Sequence, residues 1–467
     1  MKDVVQVKYS ALMNRVTAVF LLLSFLASVT AAQAPVIQSQ ETVAKLEIQE
    51  SRPSLAGFLD SEKGWAPGDA VEYALTHNAE LLAARHEVDA ARALVTQSSL
   101  RANPKLDFGT SKELNSRDNT ILAEGTLPLE LGGRRAARIS VAERESEVRQ
   151  SIVEDLERRL AFETRRKFGE ALSAILKLGF VEDMLTSTRR AHRLVIQRVE
   201  EGRSAPLEEK VVLVEVNRLR SLRETSKGRA EVAVFELRNL IGMNPERQLL
   251  LRGDFTDMVS APLPIAAATK RAIAKRPDLL ASRAAERVAE AQIEQARAEG
   301  RLDAELRAGY QRTNMSFPLN GITDVGVIRP VQEVFNFLTI GVRINVPVRN
   351  KNQGALEAAV AGAEAAKSRR EFLEITVRSQ VATAYARYEN AARAMEIYRV
   401  GVREQANLNL EVVRKMYELG AKTLLDYLAE QRRFVDVEFD YIDARLQTYL
   451  ARVEIEGATS SPELIQK

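Results

Sequence analysis

Cysteine is absent from this chain of 467 residues. That excludes disulfides, thiolate zinc sites, iron–sulfur clusters, cysteine nucleophiles and lipid attachment through an N-terminal cysteine. Histidine is scarce: His77, His86 and His192 are scattered, and the first two do not share the i,i+4 spacing of a helical metal pair. No GxSxG, HExxH, P-loop or GxGxxG pattern is present. The expectation is therefore no enzyme, no catalytic residues, no cofactor and no resident metal site. An excess of one charge is also missing. Lys and Arg number 67 against 64 Asp and Glu, which argues against nucleic acid as a partner. Aromatics at 6%, with 23 Gly and 14 Pro, are few for an ordinary core of this size. Past the N-terminal region no apolar run reaches the roughly 18 residues of a membrane-spanning helix. What the chain does have is 28% charged and 45% hydrophobic residues, the profile of long amphipathic helices.

The N-terminus reads as an address. Lys2, Lys8 and Arg15 precede the apolar run Val16 to Val29, and small residues around Ala31 and Ala32 suit cleavage. Residues 1–32 are expected to be a secretory signal peptide, with Met1 or Met13 as the start. Residues 33–66, polar and holding Pro35 and Pro53, are expected to be an extended lead-in.

The remainder repeats itself. VEYALTHNAELLAAR at 71–85 matches TKRAIAKRPDLLASR at 269–283; Leu127-Pro128-Leu129 matches Val346-Pro347-Val348; Gly202 matches Gly420. The expected units are residues 69–245 and 267–457, joined by a linker over 246–266 and followed by a tail over 458–467. The later matches are more widely spaced, so the second copy carries an insertion. Asn314, Pro318, Asn320, Gly321 and Pro330 suggest a loop over about 312–333.

Each copy is expected to run helix, strand, strand, very long helix, turn, helix. Leu302, Ala304, Leu306, Ala308 and Tyr310 alternate with polar residues, as do Leu338, Ile340, Val342, Ile344 and Val346. Leu106 and Phe108, and an imperfect run from Ile121 to Leu131, give two weaker strands in the first copy. Val377, Val381, Ala384, Tyr388, Ala391, Met395, Tyr398 and Val402 step 4-3-4-3-4-3-4, a coiled-coil seam. Leu428, Val435, Phe439, Ile442, Leu446 and Val453 make another. From 135 to 201 there is no proline, which allows a helix about 100 Å long, too long for a compact domain.

Strands of about ten alternating residues are the signature of a membrane β-barrel, yet four cannot close one. An open edge in lipid leaves backbone groups without partners. If these strands meet the bilayer, several chains must share one barrel. Two copies leave no lumen; three give twelve strands and room for a channel. The helices then form a second tube on one side. A secreted coiled-coil structural protein is the alternative from a different class.

The mature chain resembles TolC-type outer-membrane efflux proteins, nearest the branch serving cobalt–zinc–cadmium resistance-nodulation-division (RND) pumps. The resemblance rests on AELLAARHEVDAARA (79–93), LRANPKLDF (100–108), LPLELGGRRAARI (127–139) and EGRSAPLEE (201–209), then RPDLLASRA (276–284), ARAEGRLDAELRAGYQR (296–312), INVPVRNKNQGALEAA (344–359) and YELGAKTLLDYLAEQ (417–431). It implies a mainly α chain with a small β part, and tandem-duplicated long antiparallel helices forming a periplasmic α-barrel. Four strands per chain contribute to a trimeric 12-stranded barrel in the outer membrane of a Gram-negative bacterium. It implies as partners a homotrimer, outer-membrane lipid, a periplasmic adaptor and an inner-membrane RND pump. The cargo expected is heavy-metal cations, with a multidrug or type I protein secretion duct as the alternative.

Particular residues carry these expectations. Pro128, Gly132 and Gly133, and Pro347 and Gly354, mark the strand-to-helix junctions. Arg134, Arg135, Arg138, Arg349 and Lys351 fall beside them, either as solvated helix starts or at lipid headgroups. Gly202, Pro206 and Gly420 mark the hairpin turns at the far end. By resemblance, Lys422 and Asp426 match the gate contact and the cation-attracting ring, with Arg203, Glu208 and Glu209 in comparable places in the first copy. An ordinary exposed i,i+4 pair is the other possibility for Lys422 and Asp426.

Overall fold

The computed structural model describes residues 54–114, 117–256 and 262–464. The signal peptide, most of the lead-in and parts of the linker and tail lie outside the described residues. A 3-10 turn at Ser54–Gly57 precedes α1 (Pro67–His77) and α2 (Ala79–Ser99). Strands β1 (Lys105–Lys112) and β2 (Asn119–Pro128) follow, then α3 (Arg134–Glu200) and α4 (Pro206–Ile241). The second copy contributes α5 (Ile265–Lys275), α6 (Pro277–Glu299), β3 (Asp303–Ile322), β4 (Ile328–Asn345) and α7 (Gln353–Ile397). A π turn at Tyr398–Val402 leads into α8 (Arg403–Glu418), and α9 (Leu424–Thr459) completes the copy.

Each copy opens with two helices where one was expected. The breaks fall at equivalent places. Asn78 leaves the helical region and its side chain accepts a hydrogen bond from Leu81 N at 3.0 Å, capping α2. Arg276 is extended before Pro277, which starts α6.

The expected loop over 312–333 is instead strand. β3 and β4 run through it, pairing out to Ile322 and Ile328 around a tight turn at Gly326 (φ 78°). Pro318 sits where the register slips between Ser316 and Asn320, a place where its missing N–H breaks no ladder. β2 ends at Pro128, so Leu129 and Leu131 lie past the strand to which their pattern assigned them.

The seam of the second long helix is present: Val377, Val381 and Ala384 are buried, and Tyr388, Ala391, Met395, Tyr398 and Val402 are half-buried. Past Val402 the covered positions continue at Ala406, Leu410, Val413 and Tyr417, one residue late. The π turn holds that extra residue. Without it the later seam would rotate away from α9.

Strand order is β1-β2-β3-β4, all antiparallel, so the β2–β3 pairing joins the two copies. Beside the sheet the helices lie in the order α2, α3, α6, α7; at the far end the order is α4, α3, α9, α8. Each layer therefore has a first-copy flank and a second-copy flank. The largest buried cluster lies where α1, α3, α4 and α9 meet, around Phe168, Leu172, Ile175, Leu237 and Tyr449. There arginines hold the carbonyls at the end of α9. Arg158 donates to Gly457 O at 2.9 Å, Arg271 to Ser460 O at 3.3 Å and Arg276 to Ala458 O at 3.4 Å.

Candidate functional site

Two hairpins, α3–α4 and α8–α9, end side by side away from the sheet. Both close α3 and α8 in the same way. Gly202 N donates to Val199 O and Arg203 N to Arg198 O; Gly420 N donates to Tyr417 O and Ala421 N to Met416 O. This is the Schellman pattern, and it needs the left-handed φ of 69° at Gly202 and 77° at Gly420. Pro206 is the first residue of α4.

Asp426 is occupied locally. Its Oδ2 accepts from Thr423 N at 3.0 Å and Thr423 Oγ1 at 2.9 Å, while Thr423 Oγ1 accepts from Asp426 N at 3.2 Å, a capping box on α9. The backbone N–H of Thr423 and then its hydroxyl hold the carboxyl below the usual carboxylate range, with Lys422 adding a smaller effect. Lys422 and Asp426 are both exposed. In the first copy Arg203 lies 3.3 Å from Glu201 and Glu209 lies 3.4 Å from Lys210.

Glu208 does something different. Its Oε2 accepts a hydrogen bond from Tyr417 Oη at 3.3 Å, tying one hairpin to the other. Tyr417 stacks on Tyr427 with ring centroids 6.0 Å apart, above Val195, Val212, Leu424 and Leu428. Burial pushes the Tyr417 hydroxyl up, with Glu208 adding to the shift. A cavity of about 90 Å³ lies beneath, lined in part by Thr188, Arg198 and Gln431. Tyr417 and Tyr427 escaped sequence reasoning because aromatics at seam spacing look like packing. The Thr423 cap was legible as a Ser/Thr-x-x-Asp/Glu pattern.

At the other end the sheet has two chemically distinct faces. On one, Leu338, Ile340, Val342 and Ile344 lie beside Tyr310, Ala308, Leu306 and Ala304, and these continue onto Ala123 and Gly125. On the opposite face Arg307 pairs with Glu124 at 3.3 Å, Arg343 with Glu305 at 3.6 Å, and Thr120 donates to Thr313 at 3.3 Å. Among the described residues no helix is long and apolar enough to cross a membrane.

At the junctions, Gly132 (φ 73°) and Gly133 (φ 82°) turn the chain from β2, which ends at Pro128, into α3. A Cβ on Gly132 would lie 2.8 Å from that of Arg301. In the second copy Pro347 follows the end of β4, but Gly354 is inside α7 with open space around it. The left-handed residue is Asn352 (φ 60°), whose side chain donates to Ala296 O at 2.9 Å. The arginines here bind protein carbonyls. Arg134 donates to Glu299 O and Arg301 O at 2.9 Å; Arg135 donates to Ser99 O at 2.7 Å; Arg138 donates to Ser98 O at 3.1 Å and pairs with Glu130 at 2.6 Å. They close the ends of α2 and α6 rather than standing as solvated helix starts. Among the described residues there is no group of three or more His, Asp or Glu placed to hold a metal ion.

The family model for outer membrane efflux proteins matches residues 70–243 and 268–461, so the chain belongs to the outer membrane efflux protein family. It is 24% identical to the cobalt-zinc-cadmium resistance protein CzcC of Cupriavidus metallidurans over 388 residues, 83% of this chain and 88% of the relative. Its fold matches that of CusC with a TM-score of 0.69 at 17% identity, covering 86% of this chain and 95% of the other. The open-state MtrE outer membrane channel of Neisseria gonorrhoeae matches with a TM-score of 0.67 at 16% identity, covering 86% and 89%. The protein is an outer membrane efflux protein.

Proposed function

We propose that this outer membrane efflux protein is the exit duct of a tripartite RND-type system, working as a homotrimer that passes heavy-metal cations delivered by a pump and an adaptor. One observation carries the duct: every layer is open on the same two flanks. Among the described residues β1 and β4 each have one unpaired edge, and the adjoining helical layers end on α2 and α7, then on α4 and α8. Copies joined head to tail satisfy all of these flanks together, and such heterologous contacts close into a ring. Three copies supply twelve strands. The apolar sheet face then meets lipid and the face with Arg307 and Glu124 lines the lumen.

The hairpin ends form the inner mouth of this duct. Lys422, Asp426 and Arg203 are exposed charges there and Glu209 is half-buried, and the Tyr417–Glu208 bond keeps the two hairpins of one copy together. A ring of Asp426 carboxylates favours cations. Support for metal cargo comes from the similarity to CzcC, a cobalt-zinc-cadmium resistance protein. A multidrug duct is the second reading, because likeness to the channels CusC and MtrE carries the fold and no particular cargo. Deleting the gene and scoring growth on cobalt, zinc and cadmium salts, and separately on dyes and antibiotics, tests the cargo. Metal sensitivity alone supports the first reading, and drug sensitivity alone the second. A water-soluble monomer would sink both.

A further inference from the structure

The two faces of the sheet exchange character between Leu338 and Asn336 on β4, shortly before the β3–β4 ribbon outgrows β2. β1–β2 pairing stops at Lys112 and Asn119, and β2–β3 pairing stops at Asn119 and Asn314. Beyond Asn314, β3 has only β4 beside it. From Leu338 down to Ile344 the odd-numbered residues of β4 face the polar side, as Thr339 and Arg343 do, and the even-numbered ones face the apolar side. From Asn336 upward, with β2 still beside the first two pairs, the even side is Asn336, Val334 and Gln332 against Arg312, Asn314 and Ser316, polar at five of six positions. The odd side turns aromatic. Phe337 stacks on Phe335 with centroids 6.3 Å apart, and Phe335 meets Phe317 edge-on at 6.3 Å. Phe337 is half exposed, and Phe317 and Phe335 are partly buried.

Apolar surface in water is costly, and the sheet's polar and apolar faces are otherwise cleanly sorted. Above the apolar band the outward face has no lipid to meet, so polar residues belong there. The inward face of a cyclic assembly looks across the axis, where the only matching surface is the same ribbon of the other copies. Building on the trimeric duct proposed above, we infer that the Phe317–Phe335–Phe337 faces of the three ribbons pack against one another over the outer mouth. They form an apolar closure that excludes water and ions until the ribbons part. This closure is separate from the hairpin tips at the other end of the duct.

The absence of cysteine makes the test direct. Phe335→Cys and Asn336→Cys are each placed in the purified detergent-extracted protein and exposed to a mild oxidant and, separately, to a short bis-maleimide. Phe335→Cys is expected to yield covalent dimers on denaturing gels, the monomer band falling towards about one third because each cross-link within a trimer leaves the third copy unpaired. Asn336→Cys, one residue away on the other face, yields none. A trimer that gives no cross-link at Phe335→Cys, or equal cross-linking at both positions, overturns the closure and leaves the duct standing. If the parent is no oligomer in detergent, the duct itself fails and the closure with it. Phe335→Ser with Phe337→Ser provides a second readout: the double variant should admit a large polar antibiotic to cells that the parent excludes. Unchanged resistance in a variant that assembles as well as the parent counts against the closure.

Discussion

Tyr417 and Glu208, 209 positions apart in the chain, share a hydrogen bond of 3.3 Å between the tips of the two hairpins. Each comes from a different copy of the repeat, so the contact measures how the halves are held at their free ends. Tyr417→Phe removes the donor and leaves the ring stacked on Tyr427. With Oη partly buried, the loss should be about 0.5–1.5 kcal/mol per copy, and single-channel conductance in planar bilayers should rise. Conductance equal to the parent would show that the tip is held elsewhere.

The pH dependence of that tie follows from the direction of its shift. The Tyr417 pKa is raised, so its contribution is complete below the ordinary tyrosine value of 10.0 and is lost only as pH climbs through the higher folded value. The Tyr417-dependent part of the conductance, parent against Tyr417→Phe, should therefore stay constant from neutral to mildly alkaline pH. A titration near neutrality would contradict the assignment.

Asp426 works in the opposite sense. Its pKa is lowered, so the carboxylate survives as pH falls through the usual 3.8 and is lost only below it. Cation selectivity should persist in mild acid. Asp426→Asn should reduce the cation/anion permeability ratio, whereas Thr423→Ala, which removes a helix cap worth about 1 kcal/mol, should loosen the tip and leave that ratio alone. If Thr423→Ala shifts the ratio as much as Asp426→Asn does, the effect comes from folding and not from charge.

Sheet orientation can be tested with adjacent residues. Ile340 lies beside Ala308 on the apolar face, and Thr339 beside Gly309 on the polar one. Ile340→Arg should cost about 2–4 kcal/mol in a bilayer if it faces lipid near the midplane. Thr339→Arg should be tolerated. Urea titrations of the protein refolded into vesicles will rank them, and the reverse order would turn the sheet inside out.

Deleting Glu404, just past the π turn and between Val402 and Ala406, should return the seam to an unbroken 4-3 step, because the covered positions on either side are out of phase by one residue. Assembled protein should form in near-parental yield. Deleting Ala392, within the regular stretch of α7, puts every later seam residue on the wrong face and should abolish assembly. Equal yields would show that the π turn carries no phase.

The sequence alone determined whatever repeats along the chain. Alternation marked Leu338 to Ile344 as a two-faced strand, the 4-3 spacing marked Val377 to Val402 as a seam, and the 198-residue match aligned Asn78 with Arg276. These are local periodicities, set by where successive side chains point. Only the tertiary structure decided which distant groups meet. Arg134, Arg135 and Arg138 look like headgroup ligands until the open ends of α2 and α6 are brought beside them. Glu208 resembles any acidic helix start until Tyr417 arrives from the other copy. The proline- and asparagine-bearing stretch at 312–333 has turn chemistry, yet the partner strand supplies cross-strand hydrogen bonds that outweigh it. The aromatic row of the ribbon is written at alternate positions in the chain, but only strand pairing brings Phe317 beside Phe335 and sets the row on the face opposite Leu338.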